Sequence, residues 1–316
     1  MMDWLILLAG LAGIIFGAKY LVDGASSLAR RWGLSEFIIG LTIVGMGTSA
    51  PEMVVSFVGA IEGNADVSMG NILGSNIFNT LLILGVTALI LPIKVTTENR
   101  KIDAPMNVLI ALLLFALSLD SRLSRLDGIV FLLFFALYMW WSFRHQGTLT
   151  VEEDTVPERS IWLSVLAVLG GLALLVFGGR YFVDSAVAIA RSSGVSDKFI
   201  AITLLAGGTS LPELATCVAA AARKKGQLAL GNIIGSNVFN ILLILGGSAV
   251  IHPLDLTGTS PEHAGFSYVD LGMLLLSALA LLFAAIIGRK KEMGVISGTC
   301  FLLLFVGYLT YLIVSL

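Results

Sequence analysis

The sequence predicts an all-α membrane protein with ten transmembrane helices, arranged as two inverted five-helix repeats, with the second and seventh helices broken. Three observations support this fold class. The composition is very apolar, hydrophobic stretches of spanning length recur along the chain, and the two halves carry the same motifs at one fixed offset. Of the 316 residues, 57% are hydrophobic and only 13% are charged, about half the charged fraction of soluble proteins. The composition therefore excludes a soluble globular protein.

Ten hydrophobic stretches are each long enough to cross a hydrocarbon core about 30 Å thick. The first stretch has no basic segment before it and carries Asp3, which favours a membrane span over a cleaved signal peptide. Cys217 and Cys300 both fall inside predicted spans and do not form a disulfide framework. The predicted spans lie near residues 3–29, 37–61, 68–91, 103–120, 126–143, 161–190, 199–222, 228–251, 266–287 and 294–314.

Basic residues predict the orientation of the chain in the membrane. With ten spans, 13 of the 19 Lys and Arg residues fall in loops on one side, and four fall on the other. By the positive-inside rule the first side is cytoplasmic, so both termini are expected outside the cytoplasm of a multi-pass inner (plasma) membrane protein. We predict a first repeat over residues 1–143, a cytoplasmic linker over 144–160 and an inverted second repeat over 161–316.

The two halves share polar motifs. Residues 70–85 read GNILGSNIFNTLLILG and residues 231–246 read GNIIGSNVFNILLILG, identical at 13 of 16 positions. The same offset of 161 residues relates GTSAPE at 47–52 to GTSLPE at 208–213. An odd number of spans separates equivalent positions, so the second half enters the bilayer inverted. Such repeats are typical of secondary transporters, which bind their substrate between the repeats near the midplane.

The GTS-PE motifs predict a break inside a span. Pro51 removes an amide donor and clashes with the preceding turn, and Gly45 and Gly47 loosen the helix further. Carbonyl groups near Gly47 and Thr48 are then expected to lack helical partners. Non-helical backbone at membrane depth is tolerated only where it is buried in protein or lines a polar cavity. These carbonyls are therefore candidate cation ligands.

Oxygen-bearing side chains cluster at the same motifs. Thr48 and Ser49 share a helical face with Glu52. The third span adds a polar ladder at intervals of four, and Gly70 and Gly74 beside it are expected to allow close approach of a neighbouring helix. Asn76 and Asn237 lie off this face and are interpreted as helix-packing amides. The ladder is Asn71, Ser75 and Asn79, repeated as Asn232, Ser236 and Asn240.

The chemistry of these ligands favours a hard cation. The set holds two carboxylates, hydroxyls, amides and carbonyls, without thiolate or imidazole, and it suits Na⁺, Ca²⁺ or Mg²⁺. A flexible shell of oxygens favours Ca²⁺ over Mg²⁺. The three histidines are scattered, which argues against a transition metal, and the net charge of −2 argues against nucleic acid. The sequence indicates no cofactor and no obligatory protein partner besides the lipid bilayer.

The two acids suggest a transport mechanism. An ionised side chain at the centre of a membrane helix costs on the order of 3 kcal/mol, so intramembrane acids are functional candidates. If Glu52 and Glu213 share one site, one divalent cation or two monovalent cations would neutralise them, and the two loads would compete. The empty, doubly negative site is the costly state to move across the membrane. This favours exchange over uniport.

At these motif pairs the whole chain resembles the Na⁺/Ca²⁺ exchanger family of the cation/Ca²⁺ antiporter superfamily. The resemblance implies a central Ca²⁺ site formed by Glu52 and Glu213 with the carbonyls of Thr48 and Thr209. Asn240 stands where K⁺-dependent relatives have an aspartate, which argues against K⁺ co-transport. The flanking Na⁺ sites implied by the resemblance use Ser49, Ser210, Ser75, Ser236, Asn79, Asn240 and the carbonyls of Gly45 and Ala206.

We therefore predict a secondary active antiporter, not an enzyme, that exchanges Na⁺ for Ca²⁺ by alternating access, with the first and sixth spans sliding over the other eight. An H⁺/Ca²⁺ or K⁺-dependent Na⁺/Ca²⁺ antiporter of the same fold is the nearest alternative. A cation channel with the same acids in its filter is a second. An intramembrane enzyme has little support, because the sequence has no HExxH motif and no paired intramembrane aspartates.

Overall fold

The computed structural model describes residues 2–145, 160–193, 207–256, 268–287 and 292–315. Within these ranges the regular secondary structure is helical apart from four two-residue strands. The helices of the first half are α1 Met2–Trp32, α2 Glu36–Thr48, α3 Ala50–Ile61, α4 Ala65–Ile90, α5 Ala104–Leu117 and α6 Arg125–His145. Those of the second half are α7 Ile161–Ser192, α8 Leu211–Ala222, α9 Gly226–Ile251, α10 Tyr268–Ile287 and α11 Val295–Ser315.

Seven of the described helices are long and apolar enough to cross a membrane, and the bent pair α2–α3 makes an eighth candidate span. The protein is thus a helical, multi-pass membrane protein. Two predicted spans coincide with shorter helices. The fourth is represented by the 14 residues of α5, which a π-helical turn at Asn99–Asp103 directly precedes, and the seventh by the 12 residues of α8. The start of the predicted seventh span, residues 199–206, lies outside the described residues.

The break between α2 and α3 lies at Ser49, where the two helix axes differ by 49°. Ser49 leaves the helical region with φ −81° and ψ 8°. Pro51 is the second residue of α3, a position where the missing amide hydrogen has no intrahelical acceptor to lose. The proline thus ends one helix and starts the next.

Helices α4 and α9 each contain a π-helical turn at the same place in the repeat. The turns cover Phe78–Ile83 in α4 and Phe239–Leu245 in α9. A π-turn inserts extra backbone into the helix and rotates the side chains that follow, and such turns occur frequently at functional sites. Asn79 and Asn240 lie in these two turns. The hydrophobic periodicity did not predict them.

Helices α1 and α7 pack along their length through glycines. A Cβ atom on Gly17 of α1 would lie 2.8 Å from the carbonyl oxygen of Gly171 in α7, and one on Gly10 would lie 2.8 Å from that of Gly178. Small residues let membrane helices approach this closely. Leu172 of α7 covers the break in the second predicted span, where a Cβ on Gly47 would lie 2.6 Å from its side chain.

Helix α9 is the most buried of the membrane-length helices described. It crosses α2 at backbone contact, since a Cβ on Gly231 or Gly235 would lie 2.3 Å from the carbonyl oxygen of Phe37 or Leu41, respectively. The repeat-related glycines of α4 are Gly70 and Gly74, for which we expected the same close approach. The stretch of chain equivalent to the α2 contact is residues 198–202, which lie outside the described residues.

Two short antiparallel ribbons join the halves. β1 (Ile93–Lys94) pairs with β4 (Glu292–Met293), and β2 (Arg122–Leu123) pairs with β3 (Leu254–Asp255). In each ribbon a basic residue stands opposite an acidic one, Lys94 across from Glu292 and Arg122 across from Asp255. Opposite charges in directly paired strands contribute about 0.2–1 kcal/mol.

Candidate ion-binding site

Two carboxylates stand at helix N-termini in the centre of the protein. Glu52 is the third residue of α3 and Glu213 is the third residue of α8. Both are fully buried. A helix N-terminus favours negative charge. The sequence thus places both acids where the local backbone stabilises an anion.

Serine hydroxyls cross between the two halves to bind the opposite acid. Ser49 Oγ donates to Glu213 Oε1 at 3.2 Å, and Ser210 Oγ donates to Glu52 Oε1 at 3.3 Å. Each serine directly precedes the helix that carries the acid of its own half, but its hydroxyl binds the acid of the other half. The segments around Ser49 and Ser210 are therefore interlocked.

The ladder serines bind the acid of their own half. Ser75 Oγ of α4 donates to Glu52 Oε1 at 3.4 Å, and Ser236 Oγ of α9 donates to Glu213 Oε1 at 3.4 Å. All four serine contacts reach the same oxygen, Oε1, of their carboxylate. The second oxygen of each acid is left without these donors.

The threonines of the GTS motifs also lie at the site. Thr48 Oγ1 donates to Asn232 Oδ1 at 3.1 Å, and its side chain neighbours the Glu213 carboxylate. Thr209 is half-buried and reaches the Glu52 carboxylate. These contacts repeat the crossing seen for the serines.

Of the two carbonyl ligands predicted for the Na⁺ sites, Gly45 lies within the described residues. Its carbonyl oxygen accepts the Ser49 backbone N–H at 3.1 Å, and the Ser236 hydroxyl, whose one hydrogen can instead go to Glu213, lies 3.4 Å away. The expectation of freed carbonyls does not hold for this oxygen in the present arrangement, because Ser49, four residues on, still supplies its ordinary helical donor. The other predicted carbonyl, that of Ala206, lies outside the described residues.

Asn79 and Asn240 bring amide groups to the site from the π-turns of α4 and α9. Asn79 Nδ2 donates to Asn237 Oδ1 at 3.3 Å, and Asn240 Nδ2 donates to Asn76 Oδ1 at 2.8 Å. Both side chains are fully buried. Because each amide nitrogen is engaged by the opposite helix, each amide oxygen is turned away from that contact.

Four buried oxygens in this region have no hydrogen-bond partner among the described residues. They are Glu52 Oε2, Glu213 Oε2, Asn79 Oδ1 and Asn240 Oδ1. They form two pairs related by the 161-residue offset. Buried oxygen acceptors without a donor are costly unless something electropositive binds them. A set of carboxylate and amide oxygens is the ligand type of Na⁺ and Ca²⁺.

The sequence interpretation of Asn76 and Asn237 was incomplete. They do join α4 to α9, as expected of packing amides, since Asn76 Nδ2 donates to the Asn237 carbonyl at 3.2 Å. They also orient the side-chain amides of Asn79 and Asn240, although helical periodicity placed those two residues on a different face of the helix from Asn76 and Asn237. Their presence in both copies of the GSN motif was the available signal.

Comparison with known proteins identifies the family of the chain. A family model described as "Sodium/calcium exchanger protein" matches residues 2–144 and 163–314. The chain belongs to the sodium/calcium exchanger family. Within the family it is similar to the sodium/calcium exchanger MaX1 of Methanosarcina acetivorans, with 32% identity covering 98% of each sequence. It is also 35% identical to the inner membrane protein YrbG of Escherichia coli (strain K12), over 90% of this chain and 89% of YrbG.

Solved structures of this family share the fold. The sodium-calcium exchanger NCX_Mj, soaked with Na⁺ and Ca²⁺, matches with a TM-score of 0.83 and 30% identity over 97% of both chains. NCX_Mj soaked without Na⁺ and Ca²⁺ matches with a TM-score of 0.84 and 31% identity over 98% of both chains. The protein is thus an exchanger-family membrane transporter with the NCX_Mj fold.

Proposed function

We propose that this protein is a secondary active antiporter that exchanges Na⁺ for Ca²⁺ across the membrane by alternating access. The observation that carries the proposal is the set of four unpartnered oxygens, two from carboxylates and two from amides, buried between the halves. Oxygen ligands of this kind suit a hard cation. Two acids can neutralise about two positive charges of bound cation, which one Ca²⁺ or two Na⁺ ions carry.

We further propose that the full fold has ten spans, as two inverted five-helix repeats over residues 1–143 and 161–316 joined by a linker at 144–160. Equivalent contacts in both halves support the repeat: the crossed serines, the amide pairs and the two ribbons. The distribution of basic residues supports an inner (plasma) membrane location with both termini outside the cytoplasm.

In this proposal the ligands divide by ion. Glu52 and Glu213, with the carbonyls of Thr48 and Thr209, hold Ca²⁺. The Na⁺ ligands are drawn from the serine and asparagine contacts described above, with the Gly45 and Ala206 carbonyls joining when the breaks rearrange. The burial of both acids supports competition, because each load must neutralise the same two charges before the site can move. The α1–α7 pair, held together by glycines, is the unit that slides.

Proteoliposomes provide the direct test. Vesicles loaded with Na⁺ and diluted into Na⁺-free buffer should take up Ca²⁺, because the outward Na⁺ gradient drives exchange. Uptake should saturate with Ca²⁺ and cease when the internal Na⁺ is replaced by choline. The measurement is ⁴⁵Ca²⁺ accumulation over time, with protein-free vesicles as the control.

The same assay separates the alternatives. A pH gradient imposed without Na⁺ should give no Ca²⁺ uptake; uptake under that gradient would indicate an H⁺/Ca²⁺ antiporter instead. Dependence on added K⁺ would indicate a K⁺-dependent exchanger. Ca²⁺ flux that needs no counter-ion and does not saturate would indicate a channel.

The crossed hydroxyls predict a moderate effect of Ser210→Ala. The substitution removes one donor to Glu52 Oε1 but leaves Ser75 on the same atom. A hydrogen bond to a charged group contributes about 1.5–3 kcal/mol, so we expect the half-saturating Ca²⁺ concentration to rise roughly tenfold. Ser192→Ala, which removes an exposed hydroxyl near the end of α7, is the matched control and should transport normally. An unchanged Ca²⁺ dependence in Ser210→Ala would contradict the assigned contact.

A further inference from the structure

A chain of side-chain hydrogen bonds leads away from the ion site into α5. Asn79 Nδ2 donates to Asn237 Oδ1, and Asn237 Nδ2 in turn donates to Asn107 Oδ1 at 3.3 Å and to Thr80 Oγ1 at 2.9 Å. Asn107 Nδ2 donates to the backbone carbonyl of Asp103 at 3.2 Å. The four side chains that form this series of hydrogen bonds are buried: Asn79, Thr80, Asn107 and Asn237. The sequence analysis gave no role to Asn107 or to Thr80, which is one of the three positions where the motifs at 70–85 and 231–246 differ.

The donor and acceptor directions of these hydrogen bonds are fixed at the end farthest from the ion site, at the Asp103 carbonyl. A backbone carbonyl only accepts hydrogen bonds, so the Asn107 group that faces Asp103 must be its NH₂. Asn107 therefore presents Oδ1 to Asn237, and Asn237 must donate to it from its own NH₂ group. The remaining atom of the Asn237 amide, Oδ1, then faces Asn79. Asn79 must in turn present NH₂ to Asn237 and its oxygen to the site.

We propose that Asn107 is a positioning residue for the ion site: by holding the Asn237 amide in one orientation, it directs Asn79 Oδ1 to the transported cation. This inference rests on the proposed function. Thr80 alone does not select the orientation, because a hydroxyl can donate to an amide oxygen as well as accept from an amide nitrogen. Without Asn107, the Asn237 amide can flip, and Asn79 would then turn N–H groups toward the cation.

The opposite side of the site is built differently. Asn76, the counterpart of Asn237, donates directly to a backbone carbonyl and so fixes Asn240 without a further side chain. Tyr138 Oη donates to Asp103 in the first half and Tyr308 Oη donates to Asp270 in the second, so Asp270 corresponds to Asp103 and Leu274 to Asn107. Leu274 is buried and has no polar side-chain atom. The residue equivalent to Thr80 is Ile241, which has no polar side-chain atom. The support through α5 thus acts on the Asn79 ligand, and the main chain supports the Asn240 ligand.

Purified protein in detergent tests the proposal through ion-dependent thermal stabilisation, because a ligand that binds the folded state raises the melting temperature. Asn107→Leu keeps approximately the same volume and removes the acceptor. Loss of an outer-shell partner typically weakens ion binding 10- to 100-fold, so we expect the Na⁺ concentration for half-maximal stabilisation to rise about tenfold. The Ca²⁺ concentration should change less, since Ca²⁺ is assigned to the acids and threonine carbonyls.

A conservative substitution should restore binding. In its protonated form Asn107→Asp donates to the Asp103 carbonyl and accepts from Asn237, as the amide does. We expect it to recover most of the Na⁺ affinity lost in Asn107→Leu. If Asn107→Leu does not yield folded, monodisperse protein, Asn107→Ser replaces it, because the serine side chain is too short to reach Asn237.

Double substitutions distinguish positioning from general stability. If Asn107 acts through Asn79, then Asn107→Leu should have no further effect on Na⁺ affinity in an Asn79→Ala background but its full effect in an Asn240→Ala background. Equal effects in both backgrounds, or wild-type Na⁺ affinity in Asn107→Leu, would overturn the inference while the proposed function stands. If neither ion stabilises the wild-type protein, the proposed function fails and the inference fails with it.

Discussion

Replacing either buried acid by glutamine is expected to reduce Na⁺-driven Ca²⁺ uptake by at least about 100-fold. Glu52→Gln and Glu213→Gln keep the size of the side chain and an oxygen able to accept from the serines. Each removes one of the two negative charges and replaces one oxygen by an amide nitrogen, which repels a cation. Outer-shell changes alone cost 10- to 100-fold in metal affinity, so loss of a charged ligand should cost at least the upper end of that range.

The measurement is ⁴⁵Ca²⁺ uptake into Na⁺-loaded proteoliposomes at matched protein content. Glu62→Gln is the control, because Glu62 is an exposed acid at the end of the same helix, α3, and undergoes the same chemical change. It should transport as the wild type does. Full activity in either buried variant would refute the assignment of the two acids as a shared cation site, and equal losses in all three variants would indicate a non-specific effect of charge removal.

Adding a methyl group to Gly235 is expected to be severely destabilising. The new Cβ would lie 2.3 Å from the carbonyl oxygen and 2.8 Å from the Cα of Leu41. Both are backbone atoms of α2, so no side-chain rotation relieves the clash. Overpacking a core costs about 1–3 kcal/mol and sometimes more. We expect Gly235→Ala to fall at or beyond the upper end and to lower the melting temperature by about 5 °C or more.

Thermal unfolding of the purified protein measures this effect, with Gly307→Ala as the control. Gly307 lies on the exposed side of α11, and no described atom comes within 4 Å of a Cβ built there. Alanine is also the better helix former by about 1 kcal/mol. Gly307→Ala should therefore unfold at or above the wild-type temperature. A wild-type melting temperature for Gly235→Ala would show that α2 and α9 do not pack as closely as described.

Much of the candidate site was predictable because the repeat marks it. Two copies of GTS-PE in an apolar chain single out Glu52 and Glu213, since a charge at membrane depth is costly and a repeated charge is rarely accidental. Helical spacing placed Ser75 and Ser236 on the same helix faces as the asparagines of their polar ladders. These residues can therefore be identified from patterns within single helices, because such patterns depend only on residues close together in sequence.

Other features depend on which helices meet, and no local pattern encodes them. The serine before α3 binds the acid of α8, and the reverse contact mirrors it, across about half the chain. The π-turns that rotate Asn79 and Asn240 have the same apolar composition as ordinary helix. Asn107 has no polar counterpart in the second half, so the repeat offered no signal for its role.

By itself the sequence determined that the chain is a multi-pass helical membrane protein, that it belongs with exchangers, and which acids and hydroxyls are duplicated. Composition, helical periodicity and internal repetition suffice for these points because each is a property of the chain alone. Only the tertiary structure decided that the hydroxyls cross between halves, which atom of each carboxylate and amide is left without a donor, and that α5 supports one side of the site. Hydrogen-bond direction is set by the partner that each group meets, and those partners lie far away in sequence.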